Sequence, residues 1–194
     1  FPETHMRELE ANATLRAAIR SAIEDGLPTY AECGGLMYLS RAIRWGSHRA
    51  EMVGVIDAEA VMHDRPQGRG QIVFAETAAF PWPSLRQGNQ AHSSGVKAHE
   101  FHHAAVADLS PDTMFGFEMK RGTGIDGRRD GIIVHNAVAC FAHQRTTEAN
   151  PWADRFVAFV RQVKAAAMQA SDEAVKFRVA SSAAAGSTPK NLIV

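Results

Sequence analysis

Between Thr4 and Asp25 the apolar positions Leu9, Leu15, Ala18, Ile19, Ala22 and Ile23 return mostly every three or four residues, the spacing of one helix face. Gly26 and Pro28 close that helix, a glycine cap with a proline just beyond it. Residues 27–32 then read as a short buried strand. Leu36, Leu39 and Ile43 go back to helical spacing and predict a second helix over about 35–45. Helix, strand, tight turn and helix in succession predict an α/β domain: a mixed, mostly parallel sheet between layers of helices. Further along, 52–56, 70–77, 114–120 and 131–134 read as strands. The polar, proline-bearing stretch 78–95 is long enough to be a functional lid. A strand over 138–142 runs straight into His143, and Pro151 opens a final helix through Trp152, Phe156, Val157, Phe159, Val160 and Val163. The small, polar residues 180–189 read as a flexible tail. The division expected is a domain over 1–170 and an extension or tail over 171–194.

Composition narrows the function. The chain has 194 residues, enough for one domain with a sizeable core. Lys plus Arg equals Asp plus Glu at 21 each, so neither nucleic acid nor an anionic membrane is expected as partner. No apolar run approaches the ~20 residues that span a bilayer, and no secretory signal pattern is visible. The two cysteines, Cys33 and Cys140, lie far apart and are expected free in a reducing cytoplasm. The chain opens on Phe1 rather than methionine, which suggests part of something longer.

The chemistry concentrates where Tyr30-Ala31-Glu32-Cys33-Gly34-Gly35 turns from strand to helix. A thiol on such a corner points away from the sheet and faces the free N–H groups of the next residues. That placement is expected to lower its pKa and to let the Gly34 N–H stabilise an oxyanion. Gly35 keeps the approach open and permits unusual backbone angles. A thiol nucleophile needs a base, usually histidine. Of nine histidines, His143 is preferred for its place at a strand end, although spacing alone leaves His99, His102 and His135 open.

The run Tyr30 to Leu39 closely resembles the nucleophile motif in the glutaminase domain of cobyrinic acid a,c-diamide synthases, the cobalamin branch of class I glutamine amidotransferases. Ala98-His99-Glu100-Phe101-His102-His103 and Asn136 to His143 resemble two further family segments, and Phe1-Pro2-Glu3 is similar to the tail of a third. The resemblance implies a flavodoxin-like three-layer fold and glutamine as substrate. Cys33 would be the nucleophile and His143 the base, with Glu32, Gly34 and Gly35 at the oxyanion or substrate, and no metal. It also implies that His99, Glu100 and His102 contact the acceptor or a neighbouring domain. An ATP- and Mg²⁺-binding synthetase domain, absent from these residues, would activate a tetrapyrrole carboxylate for the ammonia; a homodimer is the candidate assembly. The second oxyanion donor would come from a glycine segment before Phe1, so weak activity is expected of this chain. Many class I amidotransferases carry Glu two residues after the histidine; here Arg145 stands there, which implies a Cys–His dyad, with Glu148 a poor candidate for orienting the ring.

Residues 120–131, with His143-Gln144-Arg145 and Trp152, also resemble a subgroup thought to amidate sirohaem. His99-Glu100-Phe101-His102-His103 matches the zinc-protease pattern His-Glu-x-x-His, which works only on a helix; the segment is expected as a strand. A docking scaffold without catalysis is the alternative of another class. Arg41, Arg44, His48 and Arg49 read as a solvated helix end.

Overall fold

The computed structural model describes residues 1–83 and 95–185. A 3₁₀ turn over Pro2–Thr4 leads into α1 (Met6–Ala11) and α2 (Ala13–Glu24), two helices where one was expected. The break falls at Asn12, whose side-chain oxygen accepts the Leu15 N–H at 3.2 Å and caps α2. Gly26, at φ +90°, then turns the chain into β1 (Thr29–Glu32).

The next helix, α3 (Gly34–Leu39), stops well short of Trp45. Ser40 ends it: its N–H and its hydroxyl both go to the Leu36 carbonyl, the hydroxyl at 3.0 Å. From there β2 (Ser40–Trp45) pairs antiparallel with β3 (His48–Glu51) and parallel with β4 (Ile56–Met62). Ile43 is therefore a fully buried strand residue. Three apolar residues at spacings of three and four are too few to separate helix from strand. Residues 52–55, expected as strand, connect β3 to β4. The basic cluster lies on this hairpin and not on a helix end. There Arg41 pairs with Asp57 at 3.1 Å and Arg49 with Glu59 at 2.8 Å.

Six more strands follow: β5 (Gly68–Glu76), β6 (Val96–His102), β7 (Ala104–Ala107), β8 (Met114–Arg121), β9 (Arg129–Val134) and β10 (Ala137–Cys140). One sheet has the order β1-β10-β9-β8-β5-β6, the other β3-β2-β4-β7. The class is α/β, sheets flanked by helices, as the sequence implies. The expectation of a mostly parallel sheet is corrected: among the described residues only β1 with β10 and β2 with β4 run parallel. The other pairings are antiparallel. Parallel pairing needs a long crossover, whereas β9 reaches β10 through only His135 and Asn136.

The larger sheet positions the chemistry. Its strand β10 is buried on both faces. Ala137, Ala139 and Phe141 pack into one core with Leu36 and Ile43, while Val138, Cys140 and Ala142 pack into a second with Phe74 and Phe117. That accounts for its unbroken apolar run. The sheet also curls. His143, just past β10, exchanges backbone hydrogen bonds of 2.7 and 3.2 Å with His99 on β6, the strand at the far edge.

After Pro151, α4 (Trp152–Ala185) packs Trp152 and Phe156 against Tyr30 of β1 and Trp82. The buried Arg155 staples the helix in place, with bonds of 2.5 and 2.8 Å to the Glu76 carboxylate and 2.9 Å to the Pro83 carbonyl. Of the stretch expected as a lid, 84–94 lie outside the described residues; its start is docked, with Phe80 5.0 Å from Trp82. The extension or tail expected over 171–194 is helix as far as Ala185, so the flexible reading of 180–189 is corrected over 180–185. The helix continues because 171–185 hold neither Gly nor Pro and are rich in Ala; 186–194 lie outside the described residues. Among the described residues, no helix is long and apolar enough to cross a membrane.

Candidate active site

Cys33 occupies the single residue between β1 and α3, at φ +48° and ψ −101°. The unusual backbone belongs to the cysteine and not, as expected, to the glycines behind it. A side chain held there stores strain of order 1–3 kcal/mol. The Cys33 N–H donates to the Cys140 carbonyl at 2.7 Å, which fixes the corner to β10. The glycines matter for space. A Cβ on Gly34 would lie 2.9 Å from Pro2 Cδ, and one on Gly35 would lie 3.1 Å from Ala31 Cβ.

The sulfur is half-buried and faces a cavity of about 920 Å³ lined by Phe1, Pro2, Glu32, His99, Phe101 and His143, among others. Its thiol lies 3.8 Å from the Phe101 carbonyl oxygen on β6. Burial pushes the Cys33 thiol pKa up; the Gly34 N–H bonded to the sulfur opposes that, and the nearby Glu3 and Glu32 carboxylates add to it. The lowering expected from a helix start is therefore not found, because desolvation outweighs one N–H from a helix of under two turns.

His143 lines the same cavity. Its ring stacks on His99 with centroids 5.0 Å apart. Its Nδ1 lies 3.3 Å from Glu32 Oε2. The other Glu32 oxygen accepts the Tyr30 hydroxyl at 2.8 Å and the Gln144 N–H at 2.9 Å. The sequence groups Glu32 with the oxyanion or substrate residues and leaves the orientation of His143 open. The available signal was positional: β1 and β10 are parallel neighbours with Glu32 opposite Cys140, so both strands end beside the cavity.

The acidic and basic residues of β6 divide by face, as a strand requires. His99 is exposed beside His143. Glu100 and His102 are buried at 2% and 4% exposure; Glu100 is turned inward, away from any acceptor, whereas His102 still lines the cavity beside His99 and His143. The Glu100 carboxylate accepts the Thr123 and Gly124 N–H groups at 2.8 and 2.9 Å, and these bonds with the His102 ring hold its pKa low despite burial. His102 lies flat on Phe141, 3.7 Å between centroids, with Nδ1 2.7 Å from the Ala104 carbonyl. With Glu100 turned away from His99, the zinc-protease arrangement is not formed. The buried Asp130 carboxylate, on β9, accepts the Phe141 and Ala142 N–H groups just ahead of His143 at 3.0 and 2.8 Å. Burial raises its pKa to about 6.

Across the cavity stand Trp45, Met62, His63 and Asp64, which no motif flagged. The cavity holds a thiol with a backbone N–H on its sulfur and an imidazole backed by a carboxylate. These are the parts of acyl transfer through a thioester.

Comparison with known proteins points the same way. Residues 1–151 match the family described as CobB/CobQ-like glutamine amidotransferase domain. The chain is 39% identical over 162 residues to a cobyrinate a,c-diamide synthase of Magnetococcus marinus, covering 84% of this chain and 33% of that protein. It is 36% identical over 157 residues to a cobyrinate a,c-diamide synthase of Archaeoglobus fulgidus, covering 81% of this chain and 32% of that protein. The chain thus spans about a third of the length of these curated relatives. Among solved structures, a crystal structure of a glutamine amidotransferase superposes with a TM-score of 0.52 at 14% identity, covering 79% of this chain and 71% of that one. It supports the fold.

Proposed function

The chain belongs to the CobB/CobQ-like glutamine amidotransferase family, and from that premise we propose that it hydrolyses glutamine at Cys33 and delivers the ammonia to a tetrapyrrole carboxylate. His143 takes the thiol proton as sulfur bonds to the carboxamide carbon, and the Gly34 N–H faces the developing oxyanion. Collapse breaks the C–N bond; the proton leaves with ammonia, and water cleaves the thioester to glutamate. The acceptor would be activated with ATP and Mg²⁺ on residues outside this chain, for these 194 residues contain no Gly-x-x-x-x-Gly-Lys-Ser/Thr loop. The cobyrinate synthases among its relatives favour a corrinoid over sirohaem. The observation that carries the reading is the meeting of Cys33 and His143, from distant parts of the sequence, at one cavity.

The test uses a glutamine analogue, 6-diazo-5-oxo-norleucine. It should modify Cys33 and block glutamate release, and Cys33→Ser should release none. Labelling elsewhere, or hydrolysis at the native rate by Cys33→Ser, would overturn the proposal.

A further inference from the structure

We infer that Glu32, the residue just ahead of the nucleophile, is the positioning carboxylate of His143. This rests on the reading of His143 as base. A neutral imidazole can take the thiol proton only through the nitrogen that lacks one. The carboxylate of Glu32, 3.3 Å from Nδ1, accepts an N–H there. That places the proton on Nδ1, leaves Nε2 as the acceptor, and provides negative charge for the imidazolium formed when the thiol ionises. A carboxylate at position 145 would do the same, but Arg145 stands there and is exposed.

Glu32 is itself held. Its Oε1 accepts the Tyr30 hydroxyl and the Gln144 N–H. Gln144 Nε2 donates to the Tyr30 oxygen at 2.8 Å, and Asn150 Nδ2 donates to Gln144 Oε1 at 3.1 Å. The Tyr30 ring packs among Trp82, Trp152 and Phe156, with centroids 5.0 to 6.4 Å away. The support reaches the base from the helix α4 side, through Tyr30 and Glu32. A substrate-binding carboxylate would leave its oxygens free for glutamine; here both are spent on Tyr30, Gln144 and His143.

Glu32→Gln separates the roles. A positioning carboxylate predicts kcat lower by about 10²-fold or more with KM for glutamine unchanged. It also predicts that ¹⁵N spectra of the imidazole, assigned with His143→Gln, show the proton on Nδ1 in the native chain and moved off it in Glu32→Gln. Should Glu32→Gln not fold, Tyr30→Phe tests the same contact from its far side and should lower kcat roughly fivefold, the effect of one hydrogen bond. A kcat within twofold of native in the variant tested, a rise in KM alone, or an unmoved Nδ1 proton would overturn the inference. Failure of the parent reading looks different: the glutamine analogue would then leave Cys33 of the native chain unlabelled, and the tautomer measurement still decides whether Glu32 holds the ring.

Discussion

The two thiols of this chain stand at the ends of neighbouring strands and have opposite fates. Cys33 follows β1 at a corner, half-buried, with a left-handed φ and a cavity in front of it. Cys140 ends β10 one strand away, fully buried, with its Sγ 3.2 Å from the Ala142 carbonyl and 3.5 Å from the Tyr30 hydroxyl. Burial pushes both thiols up, Cys140 well above the ordinary range. What distinguishes them is access and backbone. The corner gives one sulfur a backbone N–H and an open approach, whereas the doubly buried strand makes the other an apolar filler.

Alkylation is the strongest way to break that comparison. Iodoacetamide should label Cys33 in the folded protein, while Cys140 should react only when the sheet opens. The rates should differ by at least about 10³, the scale set by a cooperative unfolding equilibrium. Equal rates would mean that the core around β10 opens readily. Raising pH should accelerate Cys33 labelling with a midpoint above that of a free thiol, since burial favours its protonated form.

Substitution sharpens the contrast on the stability side. Cys33→Gly should abolish glutamine hydrolysis yet raise stability by about 1 kcal/mol, because glycine carries no penalty at a positive φ. Cys140→Ala should do the reverse, leaving hydrolysis intact while costing about 1–2 kcal/mol for the packing and contacts that a fully buried sulfur gives up. Both are read from urea unfolding beside a glutamate-release assay. A Cys33→Gly chain less stable than native would show that the corner is unstrained.

What the sequence disclosed followed the range of the contacts. The corner at Cys33 was legible because a strand, a cysteine and two glycines are adjacent in the chain. The choice of His143 rested on the apolar run ahead of it, which is also local. Glu32 could not be given its partner, because His143 lies 111 positions away and only the parallel register of β1 with β10 joins them. The second helix reads too long in the sequence because Ile43 continues a spacing that a strand tolerates equally well. Glu100 was misplaced because its motif says nothing of which face of β6 looks inward.

The smallest effect concerns what lies under Cys140. Asp130 is buried, and its carboxylate holds the N–H groups of Phe141, Ala142 and Gly131. Desolvation outweighs those bonds and the nearby His102, and the pKa rises to about 6. The folded chain therefore keeps this proton to a higher pH than the unfolded chain, whose carboxyl titrates near the ordinary value of about 3.9. Between those values the native state binds more protons, so this group makes stability rise as pH falls from about 6 toward 4. Its charge also helps to keep the Cys140 thiol protonated. Asp130→Asn should flatten that part of the pH–stability curve while leaving Cys33 labelling where it was. An unchanged slope in Asp130→Asn would show that the carboxylate is already ionised in the folded chain, held by its three N–H donors.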